Sequence, residues 1–98
     1  MQDSKFKSEA TDRLFSAILS LRTQEDCYRF FEDLCTIKEI QDMTQRLDTA
    51  VLLDKGMRYQ EIAETVGVST ATISRVNRSL LYGQGGYRAV LNTMKESE

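Results

Sequence analysis

The residues of this chain that are best suited to chemistry lie between positions 58 and 78 and carry mainly hydroxyl, amide and guanidinium groups. Short side chains at the start of a helix let its backbone approach base edges, where hydroxyls form hydrogen bonds and methyl groups contact thymine. Arginine and amide side chains beside them contact phosphates and fix the position of the helix on the duplex. The pattern predicts a DNA-contact surface made of Arg58, Gln60, Ser69, Thr70, Ala71, Thr72, Ser74, Arg75, Asn77 and Arg78. Within this surface the residues expected to face bases are Thr70, Ala71, Thr72 and Ser74, and those expected to face the backbone are Arg58, Gln60, Arg75 and Arg78.

The spacing around these residues is typical of a helix-turn-helix over residues 59–81. Two short helices that cross steeply need a small residue at the crossing, here Ala63, and their tight turn needs a residue that accepts positive φ, here Gly67. Ser69 is suited to cap the second helix because its hydroxyl oxygen accepts a hydrogen bond from an otherwise unpaired amide. The apolar residues placed to hold both helices to the body are Ile62, Val66, Val68, Ile73 and Val76. The alternative is an ordinary helical hairpin whose polar face is only solvated.

The charge distribution is compatible with DNA binding although the net charge at pH 7 is −2. Residues 1–54 hold seven Lys/Arg against eleven Asp/Glu, whereas residues 55–88 hold five against two. The local charges are therefore −4 and +3, and the last ten residues add −1. Phosphate contacts need only one face, so an acidic body with a basic segment can bind DNA.

Several other functions are disfavoured by what the sequence lacks. Cys27 and Cys35 have no zinc-ligand spacing and no histidine to join them, so we expect reduced thiols packed on buried, aromatic helix faces and neither metal nor cofactor. Without a histidine, a glycine-rich phosphate loop or recognisable paired carboxylates, we do not expect an enzyme. No apolar run approaches the ~20 residues of a membrane helix, and the first ten residues lack an apolar signal core, which predicts a cytoplasmic protein without membrane contact.

Apolar residues recur at helical spacing along the chain and predict an all-α fold, one domain over residues 1–98 with six helices. The first is expected at 9–22. Thr23 with Asp26 opens the second helix and Thr36 with Glu39 opens the third, each as a capping box. The third should end near Gly56, where a glycine suits a left-handed cap. The fourth and fifth are expected at 59–66 and 70–81, and the last follows the glycines at 83–86.

The stretch LCTIKEIQDMTQRLDTAVLLDKG, together with EIAETVGVSTATISRVNRSL, resembles the Trp repressor superfamily. The chain is similar in particular to the small Trp-repressor-like regulators of Firmicutes, the YerC/YecD type, which share FFEDLCTIKEI, QRL and STATISRV. This resemblance implies six helices per chain and an intertwined homodimer. In such a dimer the outer helices of both chains form one core, which would supply the buried surface that a short chain lacks.

The resemblance also implies an effector pocket, which corresponds position by position to Cys35, Thr36, Arg46, Arg75, Val76 and Ser79. In the family, the arginine matching Arg46 covers one face of the indole ring and the arginine matching Arg75 holds the ligand carboxylate. Val76 stands where the family has glycine, and its branched side chain would project into the space of the indole. The turn before the first reading helix is also one residue shorter. We therefore expect a different small-molecule effector, or none, in place of tryptophan. Alternatively, Arg46 pairs with a neighbour such as Asp42, and Arg75 reaches a phosphate.

Taken together, these features predict a transcriptional regulator, a repressor, that binds a double-stranded operator as a homodimer. Its two recognition helices would enter successive major grooves about 34–36 Å apart. The alternative is a helical module for protein or RNA contact, whose partner surface would be the acidic residues Glu25, Asp26, Glu32 and Asp33. Salt dependence separates the two, because only a DNA binder releases counterions from phosphates.

Overall fold

The computed structural model describes residues 5–97, and within this range the chain is helical without a β-strand. The six helices are α1 (Glu9–Leu19), α2 (Gln24–Leu34), α3 (Ile37–Asp54), α4 (Tyr59–Ile62, continued by a π-helical turn Ala63–Gly67), α5 (Thr70–Tyr82) and α6 (Gly86–Glu96). The all-α class and the number of helices agree with the sequence prediction. The described part of the chain divides into two compact units, the first ending at residue 37 and the second beginning at residue 38. The prediction of a single domain stays a prediction.

In the first unit, hydroxyl caps set the beginning of both helices. Ser8 Oγ accepts a hydrogen bond of 3.0 Å from the Thr11 amide at the start of α1, and Thr23 Oγ1 accepts one of 3.0 Å from the Asp26 amide at the start of α2. The predicted capping role of Thr23 is therefore confirmed. Helix α1 ends at Leu19, earlier than predicted, because the Ser20 amide bonds the carbonyl of Ala17, and this shorter i→i−3 bond tightens the last turn.

Neither α1 nor α2 contains a buried residue, although both carry large apolar side chains. Leu19 is 84% exposed and Tyr28 is 68% exposed. The prediction that both cysteines lie on buried faces is wrong for Cys27, which is exposed, while Cys35 is half-buried and both are free thiols. The reason is that α2 buries none of its residues, so a helical period that places Cys27 beside aromatic side chains does not bury it.

In the second unit, the long helix α3 begins directly after Thr36 and ends in a Schellman motif. The Met57 amide bonds the carbonyl of Leu52 at 3.0 Å, and the Gly56 amide bonds the carbonyl of Leu53 at 3.0 Å. Gly56 has φ +84°, the left-handed conformation that the sequence predicted for this helix end.

The core of the second unit joins α3, α5 and α6 through Ala50, Val76 and Leu91, which are at most 3% exposed. Val51, Leu53, Leu80 and Tyr87 pack against this cluster. Thr49 is buried beside it and satisfies its hydroxyl by donating to the Gln45 carbonyl at 2.7 Å. Helix α5 is thus fixed to the long helix along one side. None of the helices between residues 5 and 97 is long and apolar enough to cross a membrane.

Candidate nucleic-acid interface

The connection between α4 and α5 is a tight turn built around Gly67. This glycine has φ +83°, a backbone conformation that is strained for L-residues with a side chain. A Cβ added there would meet no atom within 4 Å, so the strain would come from the backbone alone. The chain then extends through Val68 and Ser69 before α5 begins at Thr70. The sequence predicted the glycine turn, but it did not predict that α4 widens into a π-helical turn over Ala63–Gly67.

The two helices are held together by the apolar residues that the sequence selected. Ile62 of α4 and Ile73 of α5 are fully buried, and Val76 is 2% exposed. Val66 and Val68 are half-buried at the turn. Because these residues fix one side of α5, its opposite side is left for other contacts.

The N-terminus of α5 is capped by Ser69. Its hydroxyl oxygen accepts a hydrogen bond of 3.1 Å from the Thr72 amide, and it lies 3.1 Å from the Thr72 hydroxyl as well. This pairing holds Thr72 against the turn, and its side chain is half-buried. In the second contact the Ser69 hydroxyl donates to Thr72 Oγ1, so the hydroxyl of Thr72 can still donate a hydrogen bond, and its role in facing bases stays a prediction.

The outward side of α5 presents the other predicted reading residues. Exposed side chains follow one another at Thr70, Ala71, Ser74, Arg75 and Arg78, and Asn77 is half-buried at the margin. Residues 71, 74, 75 and 78 share one face because they are three, four or seven positions apart. Small residues thus stand at the beginning of this face and arginines stand further along it, an arrangement that suits a helix end inserted into a groove.

The positive charge on this side of α5 comes from exposed arginines. Within residues 5–97, neither Arg75 nor Arg78 forms an ion pair. Arg58, whose side chain is 87% exposed, lies 3.8 Å from Glu61, too far for a strong pair. The predicted contacts Gln60 and Ser69 are exposed as well.

A polar cleft of about 370 Å³ lies beside α5, on the side facing α3, and brings together part of the predicted effector pocket. It is lined by Asp42, Gln45, Arg46, Gly67, Val68, Ser69, Thr72, Arg75 and Val76. Ser79 lines a different, more apolar groove with Leu47 and Tyr87. Cys35 and Thr36 belong to the other unit of the chain. The alternative pairing of Arg46 with Asp42 is wrong, because Asp42 instead binds Lys38 at 3.1 Å.

Sequence reasoning missed an ion-pair cluster at the end of α3. Asp54, whose side chain is only 11% exposed, lies 2.7 Å from Lys95 and 2.8 Å from Arg88, both on α6. Hydrogen bonds from Lys95 and then Arg88 hold the pKa of the Asp54 carboxyl below its usual value. Since 34 residues separate Asp54 from Arg88, no local spacing in the sequence could have indicated this contact. Arg88, which the charge count places in the basic segment, is therefore already paired with Asp54.

The fold and this helix pair define a Trp-repressor-like helix-turn-helix protein. The chain belongs to the Trp repressor family, because the family model described as Trp repressor protein matches residues 9–95. The uncharacterized protein YerC of Bacillus subtilis (strain 168) is 51% identical over 98 residues, which covers 100% of this chain and 94% of that protein. The resemblance inferred from the sequence is therefore confirmed.

Two solved structures have the same fold. A TrpR-like protein from Eubacterium eligens ATCC 27750 is 50% identical with a TM-score of 0.90, over 93% of this chain and 94% of that one. A proposed Trp repressor from Staphylococcus aureus is 48% identical with a TM-score of 0.90, over 97% of this chain and 95% of that one. Such similarity over almost the whole length supports the all-α, Trp-repressor-like architecture.

Proposed function

We propose that this protein is a sequence-specific DNA-binding transcriptional regulator, a repressor, that acts in the cytoplasm as a homodimer. The observation that carries the proposal is the outward face of α5. Small side chains stand at its capped beginning, and Arg75 and Arg78 stand beyond them without an ion-pair partner in residues 5–97. Membership of the Trp repressor family supports the same function.

In the proposed complex, α5 enters the major groove with its first turn toward the bases. Thr70, Ala71 and Ser74 are exposed and short enough to bring the helix close to base edges, and Thr72, half-buried beside Ser69, joins them in facing the bases. Arg78 and Arg75 lie further along the helix and bind phosphates, joined by Arg58 and Gln60 at the start of α4. Asn77 lies at the margin of this surface.

The dimer is proposed because α1 and α2 leave apolar surface uncovered. Neither helix buries a residue in the single chain, although Phe15 and Leu19 on α1 and Leu34 on α2 are large and exposed. A chain of 98 residues gains little stability without further burial. A second copy of the same chain would cover these residues and place two recognition helices at a fixed separation.

The DNA-binding proposal is tested by selecting bound fragments from the protein's own genomic DNA at two salt concentrations. The expected result is enrichment of a pseudo-palindrome with half-sites one helical turn apart, about 10–10.5 base pairs between centres. Recovery that shows no sequence preference at either concentration would contradict it and would favour the protein- or RNA-interaction alternative.

A variant sharpens this test on the selected operator. Arg78→Gln should lower the slope of log K against log salt by about 0.9, because one phosphate contact is lost. Arg13→Gln, which removes an exposed arginine of α1, is the matched control and should keep the wild-type slope.

The dimer is tested separately by sedimentation of the free protein. Phe15→Glu places a charge on the uncovered apolar face of α1 and should give a monomer or an unfolded chain. The neighbouring Ser16→Glu adds the same charge at an exposed polar position and should remain a dimer. A wild-type protein that sediments as a monomer at micromolar concentration would contradict the proposal.

A further inference from the structure

The exposed side chains at the beginning of α5 differ in what they can recognise. Thr70, Ala71 and Ser74 are all exposed there. A hydroxyl both donates and accepts hydrogen bonds, so the hydroxyls of Thr70 and Ser74 can bind the edge of any base pair and distinguish little between them. The side chain of Ala71 is a single methyl group, which makes only apolar contacts. Ala71 therefore has the narrowest choice of partner among these three residues.

The side chains that read guanine or adenine through two hydrogen bonds are absent from the first turn of α5. Arginine or lysine reads guanine in this way, and asparagine or glutamine reads adenine. The first arginine of α5 is Arg75, about 6 Å beyond Ala71 along the helix axis, and it borders the cleft beside α3. Asn77 lies further along and is half-buried. Selectivity at the tip of α5 must therefore come from another kind of contact.

Thymine is the one base with an apolar group on its major-groove edge, the C5-methyl, and the methyl of alanine is suited to contact it. The backbone that carries Ala71 is held in place by its neighbours, because the Ser69 hydroxyl bonds both the amide and Oγ1 of Thr72 at 3.1 Å. Alanine also has no side-chain rotamers to lose when it is buried. A contact between the two methyl groups is thus made without ordering either side chain or turn.

We propose that Ala71 is a specificity-determining residue, which selects thymine through its C5-methyl group at one position of each operator half-site. The proposal rests on the proposed DNA-binding function and adds to it the chemical group that is recognised. Burial of one methyl group should change the affinity about four-fold. The base pair at this position is chosen by its shape in the groove, without a pair of hydrogen bonds.

The test replaces thymine by uracil, which lacks only the C5-methyl group, at one position after another in both half-sites of the selected operator. Uracil at the position contacted by Ala71 should weaken binding of the wild-type protein about 15-fold, because two methyl contacts are lost. A second operator carries a C·G pair at this position. Methylation of its cytosine at C5 should strengthen binding, because it restores a methyl group to the same place in the groove.

Variants identify the protein group that makes the contact. Ala71→Gly should bind the thymine operator more weakly than wild type does, and it should bind the uracil operator as tightly as the thymine operator. Ser74→Ala, a substitution one turn later on the same face, should keep the wild-type ratio of affinities for the two operators. Urea denaturation of both variants checks that they are folded under the conditions of the titration.

The outcomes separate this inference from the function on which it rests. A wild-type protein that selects an operator, and binds it equally well with uracil at every thymine, would overturn the role of Ala71 alone. A preference for thymine over uracil that survives unchanged in Ala71→Gly would assign the contact to another residue and would overturn it too. A protein that selects no operator would overturn the proposed DNA-binding function and this inference together.

Discussion

The carboxylate of Asp54, the last residue of α3, accepts a hydrogen bond of 2.8 Å from the guanidinium of Arg88 on α6. Lys95, two turns further along α6, lies 2.7 Å from the other oxygen of the same carboxylate. A negative charge at the end of a helix is unfavourable to the helix dipole, so the two cations offset this cost as well as pairing the acid. The cluster fixes α6 against α3 beside the core residue Leu91.

This cluster predicts an acid-sensitive contribution to stability. The pKa of Asp54 is lowered in the folded protein, first by the hydrogen bond from Lys95 and then by that from Arg88. The ionised Asp54 carboxylate therefore adds its full amount to the free energy of unfolding above the pKa that this carboxyl has in the unfolded chain, about 3.9. This stabilisation is lost as the pH falls through the lower pKa of the folded protein. Asp54→Asn should unfold at lower urea concentration than wild type at pH 7, and the difference should shrink toward pH 3.

The control for this prediction is Asp48→Asn. Asp48 is an exposed carboxylate of the same helix that forms no ion pair within residues 5–97. Its urea midpoint should stay close to that of wild type at pH 7. An Asp54→Asn midpoint that matches wild type at pH 7 would show that the cluster does not stabilise the fold.

The exposed start of α5 predicts a variant that loses operator binding and keeps its fold. Ala71→Asp places a negative charge on the face proposed to enter the groove, and an acid in the first turn of a helix is itself favourable. Operator binding should weaken by about 1–3 kcal/mol, the size of a lost base contact, or by more. The unfolding midpoint should be at or slightly above that of wild type.

The matched control is Ala89→Asp, which makes the same substitution at an exposed position in the first turn of α6. It should bind the selected operator with wild-type affinity. Equal losses in the two variants would indicate a general effect of charge and would contradict the assignment of α5 as the recognition helix.

The turn at Gly67 predicts a loss of stability from backbone strain alone. A Cβ at this position meets no atom within 4 Å, so Gly67→Ala introduces no clash, but φ +83° should cost about 1–2 kcal/mol. Gly86→Ala is the control, because it also has open space and lies at the start of α6 without positive φ. Chemical denaturation should show Gly86→Ala neutral or stabilised by up to about 1 kcal/mol. Equal denaturation midpoints for Gly67→Ala and Gly86→Ala would show that the backbone at Gly67 is not strained by a side chain.

The sequence predicted the parts of this fold that depend on local patterns. Helical periodicity indicated the helices, and caps such as Thr23 appear in the structure at the positions where the sequence places them. Gly56 and Gly67 adopt the positive φ that their turns require. These features are predictable because a residue's neighbours within one or two turns determine them.

Features that depend on distant residues could not be predicted in the same way. Lys38 and Arg46 lie on opposite sides of Asp42 in the sequence, each four positions away, and spacing alone does not tell which of them pairs with it. The exposure of Cys27 depends on what covers α2, which a helical period does not specify. The π-helical turn at Ala63–Gly67 likewise has no composition that marks it in the sequence.

The cap of α5 allows the contributions of one residue to stability and to DNA binding to be separated. Ser69 accepts a hydrogen bond from the Thr72 amide, so Ser69→Ala should lower the free energy of unfolding by about 1 kcal/mol. Aspartate is an equally good cap and also suits the positive end of the helix. Ser69→Asp should therefore keep wild-type stability, while its charge at the proposed groove surface weakens operator binding. Urea denaturation and an operator titration of both variants check this, and a Ser69→Asp protein that binds the operator as tightly as wild type would place the start of α5 away from the DNA.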